Sequence, residues 1–160
     1  MRIRHLLALA ALCTAAAACD DDLTGATCVE RTSTVASTRG DTVTTASGLR
    51  YINLTAGDGD LAQSCNNVGI HYTLYVNGTA VDSLRETGYV FNFVPGEQPP
   101  VTIEGVAEGV LGMREGGTRR LIIPPALGYG ARTVSNPNTG AVIIPPNSTL
   151  IFDVEVRQVL

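Results

Sequence analysis

Residues 143–159 read IIPPNSTLIFDVEVRQV, and this stretch decides the fold class of the chain. From Leu150 to Val156 every second residue is apolar, and the residues between them are mostly polar. This alternation is typical of a strand that buries one face of its sheet. We therefore predict a half-buried antiparallel strand over Thr149–Val159.

Sequence patterns upstream of this strand predict one helix, one hairpin turn and further strands. Apolar residues from Ile103 to Met113 recur at helical spacing instead and predict one short amphipathic helix. Asn77-Gly78 predicts a hairpin turn. Four further strands are predicted at Leu49–Thr55, Val68–Val76, Tyr89–Val94 and Thr118–Ile123. About five strands and one helix imply an α+β fold, in which the helix covers one face of a curved antiparallel sheet.

The first eighteen residues have the features of a secretory signal peptide. Two arginines precede an almost wholly apolar run, Leu6–Ala18, which is too short to cross a bilayer as a permanent helix. We predict that residues 1–18 are removed and that Cys19, which follows small residues, becomes the lipid-modified N-terminus of a bacterial envelope lipoprotein. Ordinary cleavage after Ala18, giving a soluble periplasmic protein, is the alternative.

The segment 19–46 separates this N-terminus from the predicted domain at 47–160. It is rich in Thr, Ser, Ala, Gly and Asp, which predicts a flexible linker behind the lipidated cysteine. A short strand within Thr42–Ala46 is the alternative, because Thr and Val favour strands. Cys28 and Cys65 remain as an even pair in an exported chain, so we predict one disulfide between them.

Charge and motif spacing argue against several classes of protein. The net charge is −4, and no cluster of Lys or Arg is present that could neutralise a run of phosphates. Nucleic acid is therefore not an expected partner. The sequence has no Ser/His/Asp constellation, no metal-ligand spacing and no phosphate-binding loop, so neither a metal nor another cofactor is expected.

Six segments, in this order, resemble those of the FKBP-type peptidyl-prolyl isomerases. They are VGIHYT (68–73), VDS (81–83), FNF (91–93), GVAEGV (105–110), YG (129–130) and IIPPNSTLIFDV (143–154). The resemblance covers roughly residues 47–160. It implies a sheet of five to six antiparallel strands wrapped around one short helix, which agrees with the independent strand pattern.

The resemblance implies an enzyme that accelerates X–Pro isomerisation in proline-containing segments of envelope or exported proteins. Amide resonance sets a barrier of ~18–20 kcal/mol for this rotation, and no bond is broken. The chemistry needs an apolar pocket for the proline ring and a few donors for the carbonyls. A weakly catalytic or non-catalytic module that holds such segments as a chaperone is the alternative.

The resemblance also implies roles for individual residues. The implied catalytic residues are Tyr72, Asp82, Phe91, Ile103, Tyr129 and Phe152. The implied substrate-binding residues are Val81, Val106, Phe93 and Ile143. Asp82 is expected to be a buried polar residue beside Tyr72. The backbone N–H of Ile103 and the phenol of Tyr129 are expected to donate to substrate carbonyls.

Two positions depart from the family pattern. Val106 stands where the family typically has Trp at the pocket floor, and Val81 stands where Phe is common. The loop Ala131–Val142 also looks longer than in the shortest family members. These departures affect the expected catalytic strength and leave the expected fold unchanged.

The predicted lipid anchor at Cys19 leads to the first testable prediction. The mature protein is expected to begin at an acylated Cys19 and to partition with membranes, because several buried acyl chains make release negligible. Mass spectrometry of the N-terminus and membrane fractionation measure this. An unmodified N-terminus, or a Cys19→Ser variant that is processed and fractionated as before, would contradict it.

Overall fold

The structure is a computed structural model that describes residues 27–28 and 39–160. The predicted signal peptide at 1–18, the lipidation site Cys19 and most of the predicted linker lie outside the described residues. Within them the strands are β1 (Thr27–Cys28), β2 (Thr42–Thr44), β3 (Arg50–Thr55), β4 (Val68–Val76), β5 (Thr79–Ser83), β6 (Phe91–Phe93), β7 (Glu97–Gln98), β8 (Thr118–Ile123), β9 (Val134–Ser135), β10 (Val142–Ile144) and β11 (Leu150–Val159). One α-helix, α1, spans Glu104–Val110, and a 3₁₀ turn follows β8 at Pro125–Leu127.

Seven strands form one antiparallel sheet in the order β2-β3-β8-β11-β4-β5, with β6 also paired to β4. The C-terminal strand β11 is central and pairs with β4 on one side and β8 on the other. Leu150, Phe152, Val154 and Val156 are all buried, as the alternation predicts. The predicted antiparallel sheet around one helix is confirmed.

The N-terminal edge of the sheet begins earlier than predicted. Thr42–Thr44 forms β2, so the strand alternative is correct for these residues and the linker prediction is wrong there. Val43 lies opposite Tyr51 and packs against the core, which gives this edge strand an apolar contact. The folded domain therefore starts upstream of residue 47.

The long Gly- and Pro-rich segment after the 3₁₀ turn contains a small hairpin. Strands β9 and β10 pair with each other, and the amide oxygen of Asn136 accepts hydrogen bonds from the backbone N–H groups of Asn138 and Thr139. Local side-chain bonds of this kind stabilise a turn without a strong pattern in the sequence.

Helix α1 packs very closely against the sheet. A Cβ added at Gly105 or Gly109 would lie less than 3 Å from the side chains of Ile123 or Leu121. The two glycines are four residues apart and therefore face the sheet together. Val106 and Val110 are buried beside them. The apolar spacing over Ile103–Met113 thus predicts the helix, and the glycines set its distance from β8.

Arg119 is a buried cation at the other end of this contact. It is only 5% exposed, and its Nη1 donates to the carbonyl oxygens of Gly109 and Leu111 at 2.7 and 3.1 Å. Its Nε donates to Asn53 Oδ1 at 2.7 Å. Burial lowers the pKa of Arg119 to about 10, which leaves the guanidinium charged at neutral pH. Arg119 therefore fixes the C-terminal end of α1 to strand β8 with charge-assisted hydrogen bonds.

The predicted disulfide is present between Cys28 and Cys65, with a Cα–Cα distance of 5.7 Å. The adjoining strand β1 pairs with β7, which holds the bridged segment against the domain. Among the described residues no helix combines the length and the apolar character needed to cross a membrane.

The disulfide closes a loop with a sequence separation of 37 residues. Its loss, by Cys28→Ser with Cys65→Ser, is expected to lower the free energy of unfolding by about 3–4 kcal/mol, because the unfolded chain regains the entropy of the open loop. Urea unfolding with and without reductant measures this. Reductant should destabilise the parent protein and leave the double variant unchanged. Two free thiols titrated in the unreduced, unfolded mature protein, which lacks residues 1–18, would refute the bridge.

Candidate functional site

A cavity of about 620 Å³ opens between the sheet and the N-terminal end of α1. All six predicted catalytic residues and the predicted floor residue line this cavity. They are Tyr72, Asp82, Phe91, Ile103, Tyr129, Phe152 and Val106. The structure therefore brings together residues from β4, β5, β6, α1, β11 and the segment after the 3₁₀ turn.

Three aromatic rings form one wall of the cavity. Tyr72 packs edge-on against Phe91 with ring centroids 6.3 Å apart, and it packs at a tilt against Phe152 at 5.5 Å. Aromatic pairs prefer such offset or edge-to-face arrangements. Because the three rings come from three different strands, the pairing of β4 with β6 and β11 builds the wall.

Tyr72 and Asp82 form the polar contact of the cavity. The Tyr72 hydroxyl donates to Asp82 Oδ2 at 2.6 Å, so the two residues are neighbours as predicted. The prediction that Asp82 is buried is wrong, because Asp82 is exposed to solvent. The reason is that Asp82 lies on β5, the outermost strand of the sheet beyond β4.

Two groups at the cavity are available as hydrogen-bond donors. The backbone N–H of Ile103 precedes the first turn of α1, and its carbonyl oxygen accepts from Val106 and Ala107. Within the described part of the chain neither this N–H nor the phenol of Tyr129 has an internal hydrogen-bond acceptor. Both groups line the cavity and are free to donate to a ligand carbonyl.

The floor of the cavity is formed by α1. Val106 is only 2% exposed, so its short side chain closes the bottom of the cavity without reaching up into it. Ile70 and Leu74 contribute from β4, on the same face of the strand as Tyr72. The lower part of the cavity is thus lined by aliphatic side chains.

Three predicted substrate-binding residues do not line the cavity. Phe93 is 3% exposed and stacks behind Phe91 at a centroid distance of 5.6 Å. Val81 and Ile143 are partly buried against the core. Val81 is the extra residue of a bulge in β5, since Asp82 lies opposite Leu74 and Ala80 opposite Tyr75. The bulge brings Asp82, and not Val81, to the cavity.

Several lining residues were not predicted. They are Ile70, Leu74, Pro100, Val101, Thr102, Glu104, Gly128 and Arg132. Alternation along β4 could have identified Ile70 and Leu74, because they share a face with Tyr72. The loop residues carry no comparable signal. Arg132 is a cation at the rim, with its guanidinium carbon 5.9 Å from the Tyr129 ring centroid.

No group of three or more His, Cys, Asp or Glu residues that could hold a metal ion occurs in the described ranges. The cavity instead combines an apolar floor, an aromatic wall and neutral donors. Such a site can bind an apolar ring and orient the carbonyls beside it.

Comparisons with known proteins agree with this geometry. A family model described as FKBP-type peptidyl-prolyl cis-trans isomerase matches residues 59–157. The chain is 43% identical over 120 residues to a probable FKBP-type peptidyl-prolyl cis-trans isomerase of Haemophilus influenzae, covering 74% of this chain and 46% of that relative. It is 38% identical over 110 residues to FK506-binding protein 1 of Dictyostelium discoideum, covering 68% of this chain and 95% of the relative.

A solved structure is also similar. The crystal structure of FkpA from Escherichia coli superposes with a TM-score of 0.60 at 33% identity, covering 74% of this chain and 51% of that one. The chain thus spans about half the length of FkpA and of the Haemophilus relative.

The Tyr72–Asp82 contact predicts a pH dependence. Burial, followed by the hydrogen bond to Asp82, raises the pKa of Tyr72 well above its usual value. Because the raised pKa is that of the folded state, the contribution to stability is complete below pH ~10 and is lost as the pH rises through the folded pKa. Alkaline titration of phenolate absorbance, with Tyr72→Phe subtracted, isolates this group.

Asp82→Asn is expected to move the Tyr72 titration to lower pH, because the carboxylate no longer opposes the phenolate charge. Asp153→Asn is the matched control, since Asp153 binds Arg120 at 2.6 Å instead. A Tyr72 titration that Asp82→Asn leaves in place would contradict the role of this contact.

Proposed function

The chain belongs to the FKBP-type peptidyl-prolyl cis-trans isomerases, and from this we propose that it accelerates X–Pro isomerisation in proline-containing segments of other proteins. The observation that carries the proposal is the cavity between α1 and the sheet. It joins an apolar floor and an aromatic wall to two free donors, and these are the parts that this chemistry uses.

The proline ring of the substrate lies over Val106 in this proposal, with Tyr72, Phe91 and Phe152 around it. The surrounding side chains remove water from the amide. A planar amide is strongly dipolar and is well solvated by water, whereas a twisted amide has lost its resonance and is less dipolar. Removal of water therefore disfavours the planar ground state more than the twisted transition state.

The donors act on the carbonyls that flank the rotating bond. The Ile103 N–H is held by the backbone at the start of α1, so it needs no reorganisation to donate. The Tyr129 phenol supplies a second donor. Asp82 is a positioning residue, because its hydrogen bond holds the hydroxyl of Tyr72 and thereby orients the Tyr72 ring.

These effects need to supply only part of the barrier of ~18–20 kcal/mol. Each 1.36 kcal/mol removed from the barrier gives a tenfold increase in rate, so ~5–7 kcal/mol makes an effective enzyme. Uncatalysed isomerisation takes ~10–100 s, which makes it a slow step in the folding of proline-containing proteins.

We place the protein in a bacterial cell envelope, anchored through Cys19 and facing exported clients. The N-terminal sequence supports this, since an apolar run and small residues precede the cysteine. The disulfide between Cys28 and Cys65 is also typical of an oxidising compartment. A soluble periplasmic protein is the alternative location.

A second candidate function is favoured by one observation. Val106 buries far less area than the Trp typical of the family, so the floor offers the proline ring less contact. A module with this floor could hold proline-containing segments without accelerating rotation. A protease-coupled assay on a proline tetrapeptide separates the two, because a folded sample with no rate above background would support the binding module.

The shallow floor gives the main prediction for activity. Val106→Trp is expected to raise kcat/KM about five- to thirty-fold, because the added apolar contact contributes roughly 1–2 kcal/mol to transition-state binding. The cavity of about 620 Å³ has room for the larger side chain. Tyr129→Ala and Asp82→Ala are expected to lower kcat/KM.

Val142→Trp is the matched control, since Val142 is 57% exposed and does not line the cavity. Val106→Phe is a second, smaller enlargement for the case in which tryptophan prevents folding. If Val106→Trp and Val106→Phe both fold but leave turnover unchanged or reduced, the cavity floor is already closed by another residue. The inference that Val106 weakens catalysis would then be wrong.

A further inference from the structure

A second cavity, of about 240 Å³, lies near the C-terminal end of α1 and shares no lining residue with the first. Three arginines line it: Arg39, Arg114 and Arg119. None of the described residues that line this cavity is Asp or Glu. Three cations therefore line one small space without a carboxylate in its lining.

Arg119 is the rigidly held side chain of this cavity, since the fold fixes its guanidinium in a single orientation. Its guanidinium lies 4.2 Å from the centroid of the Tyr51 ring, which covers one face. Nε and Nη1 are committed to Asn53, Gly109 and Leu111. None of these acceptors carries a charge, so among the described residues the charge of Arg119 is stabilised by neutral acceptors and by the Tyr51 ring.

The remaining nitrogen, Nη2, is the group that points to a ligand. It has no hydrogen bond within the described ranges. The only buried side-chain nitrogen or oxygen without a partner there is His71 Nε2, so Nη2 is not sealed inside the protein. Since Arg119 lines the cavity, this fixed donor is open to a molecule that enters it.

The two other arginines, Arg39 and Arg114, are exposed at the rim of the cavity. Arg114 donates through Nη1 to the Gly59 carbonyl oxygen at 3.0 Å, which anchors one of its arms. Guanidinium groups bind tetrahedral oxyanions through paired N–H donors. A liquid water molecule occupies about 30 Å³, so the cavity has room for a phosphate group and several waters.

We propose that the cavity between Arg39, Arg114 and Arg119 binds a phosphate group, carried either by a small soluble molecule or by a phospholipid headgroup. The negative charge of the phosphate offsets part of the repulsion among the three cations. Arg119 supplies the fixed donor, and the two exposed arginines supply charge from the rim. This site is separate from the proline-binding cavity and does not depend on isomerase activity.

The test uses the chain from residue 19 onwards carrying Cys19→Ser, so that neither lipidation nor the apolar run of the predicted signal peptide causes membrane binding by itself. Inorganic phosphate is titrated at constant ionic strength, and the side-chain N–H signals of Arg119 are followed by NMR. Saturable shifts are expected, and chloride should not produce them. Arg39→Gln and Arg114→Gln are each expected to weaken binding about tenfold, because each removes a charge-assisted contact.

Arg157→Gln is the matched control, since Arg157 pairs with Glu155 at 2.5 Å and lies outside this cavity. Unchanged affinity in both Arg39→Gln and Arg114→Gln, or identical shifts with chloride, would overturn the proposal. Vesicles of phosphatidylglycerol and of phosphatidylcholine then distinguish the sources. Saturable phosphate binding with capture by phosphatidylglycerol vesicles identifies a headgroup site, and phosphate binding without capture identifies a soluble ligand.

Discussion

The close contact between α1 and the sheet is the constraint on which both cavities depend. Gly105 and Gly109 allow the helix to approach the side chains of β8 more closely than any larger residue would permit. At its N-terminal end this approach sets the position of the Ile103 N–H and of the Val106 floor. At its C-terminal end it brings the last carbonyls within reach of Arg119. A shift of the helix would therefore alter both sites together.

Much of the sheet follows from alternation in the sequence, because burial on one face imposes a period of two residues. Strands β4, β8 and β11 have nearly the predicted bounds for this reason. The bulge at Val81 could not be predicted, since a single inserted residue leaves no compositional mark. The exposure of Asp82 depends on β5 being an edge strand, which is a property of sheet order and not of local sequence.

The candidate site was predicted best where family motifs and burial coincide. Tyr72, Phe91 and Phe152 are such positions, and their rings meet at one wall. Phe93 has the same residue type as Phe91 but lies one layer deeper, where it supports the wall. Arg119 gave no signal at all, because an arginine on a strand resembles any surface cation until the helix carbonyls are placed above it.

The disulfide also has a mechanical consequence. Strands β2 and β3 lie between Cys28 and Cys65 in the chain, inside the closed loop. A pulling force applied upstream of Cys28 passes through the covalent bridge to Cys65, three residues before β4, which pairs with β11. The short edge strand β2 consequently carries none of this tension and is not peeled from the sheet. The load enters the domain beside its longest paired strands, where many hydrogen bonds share it.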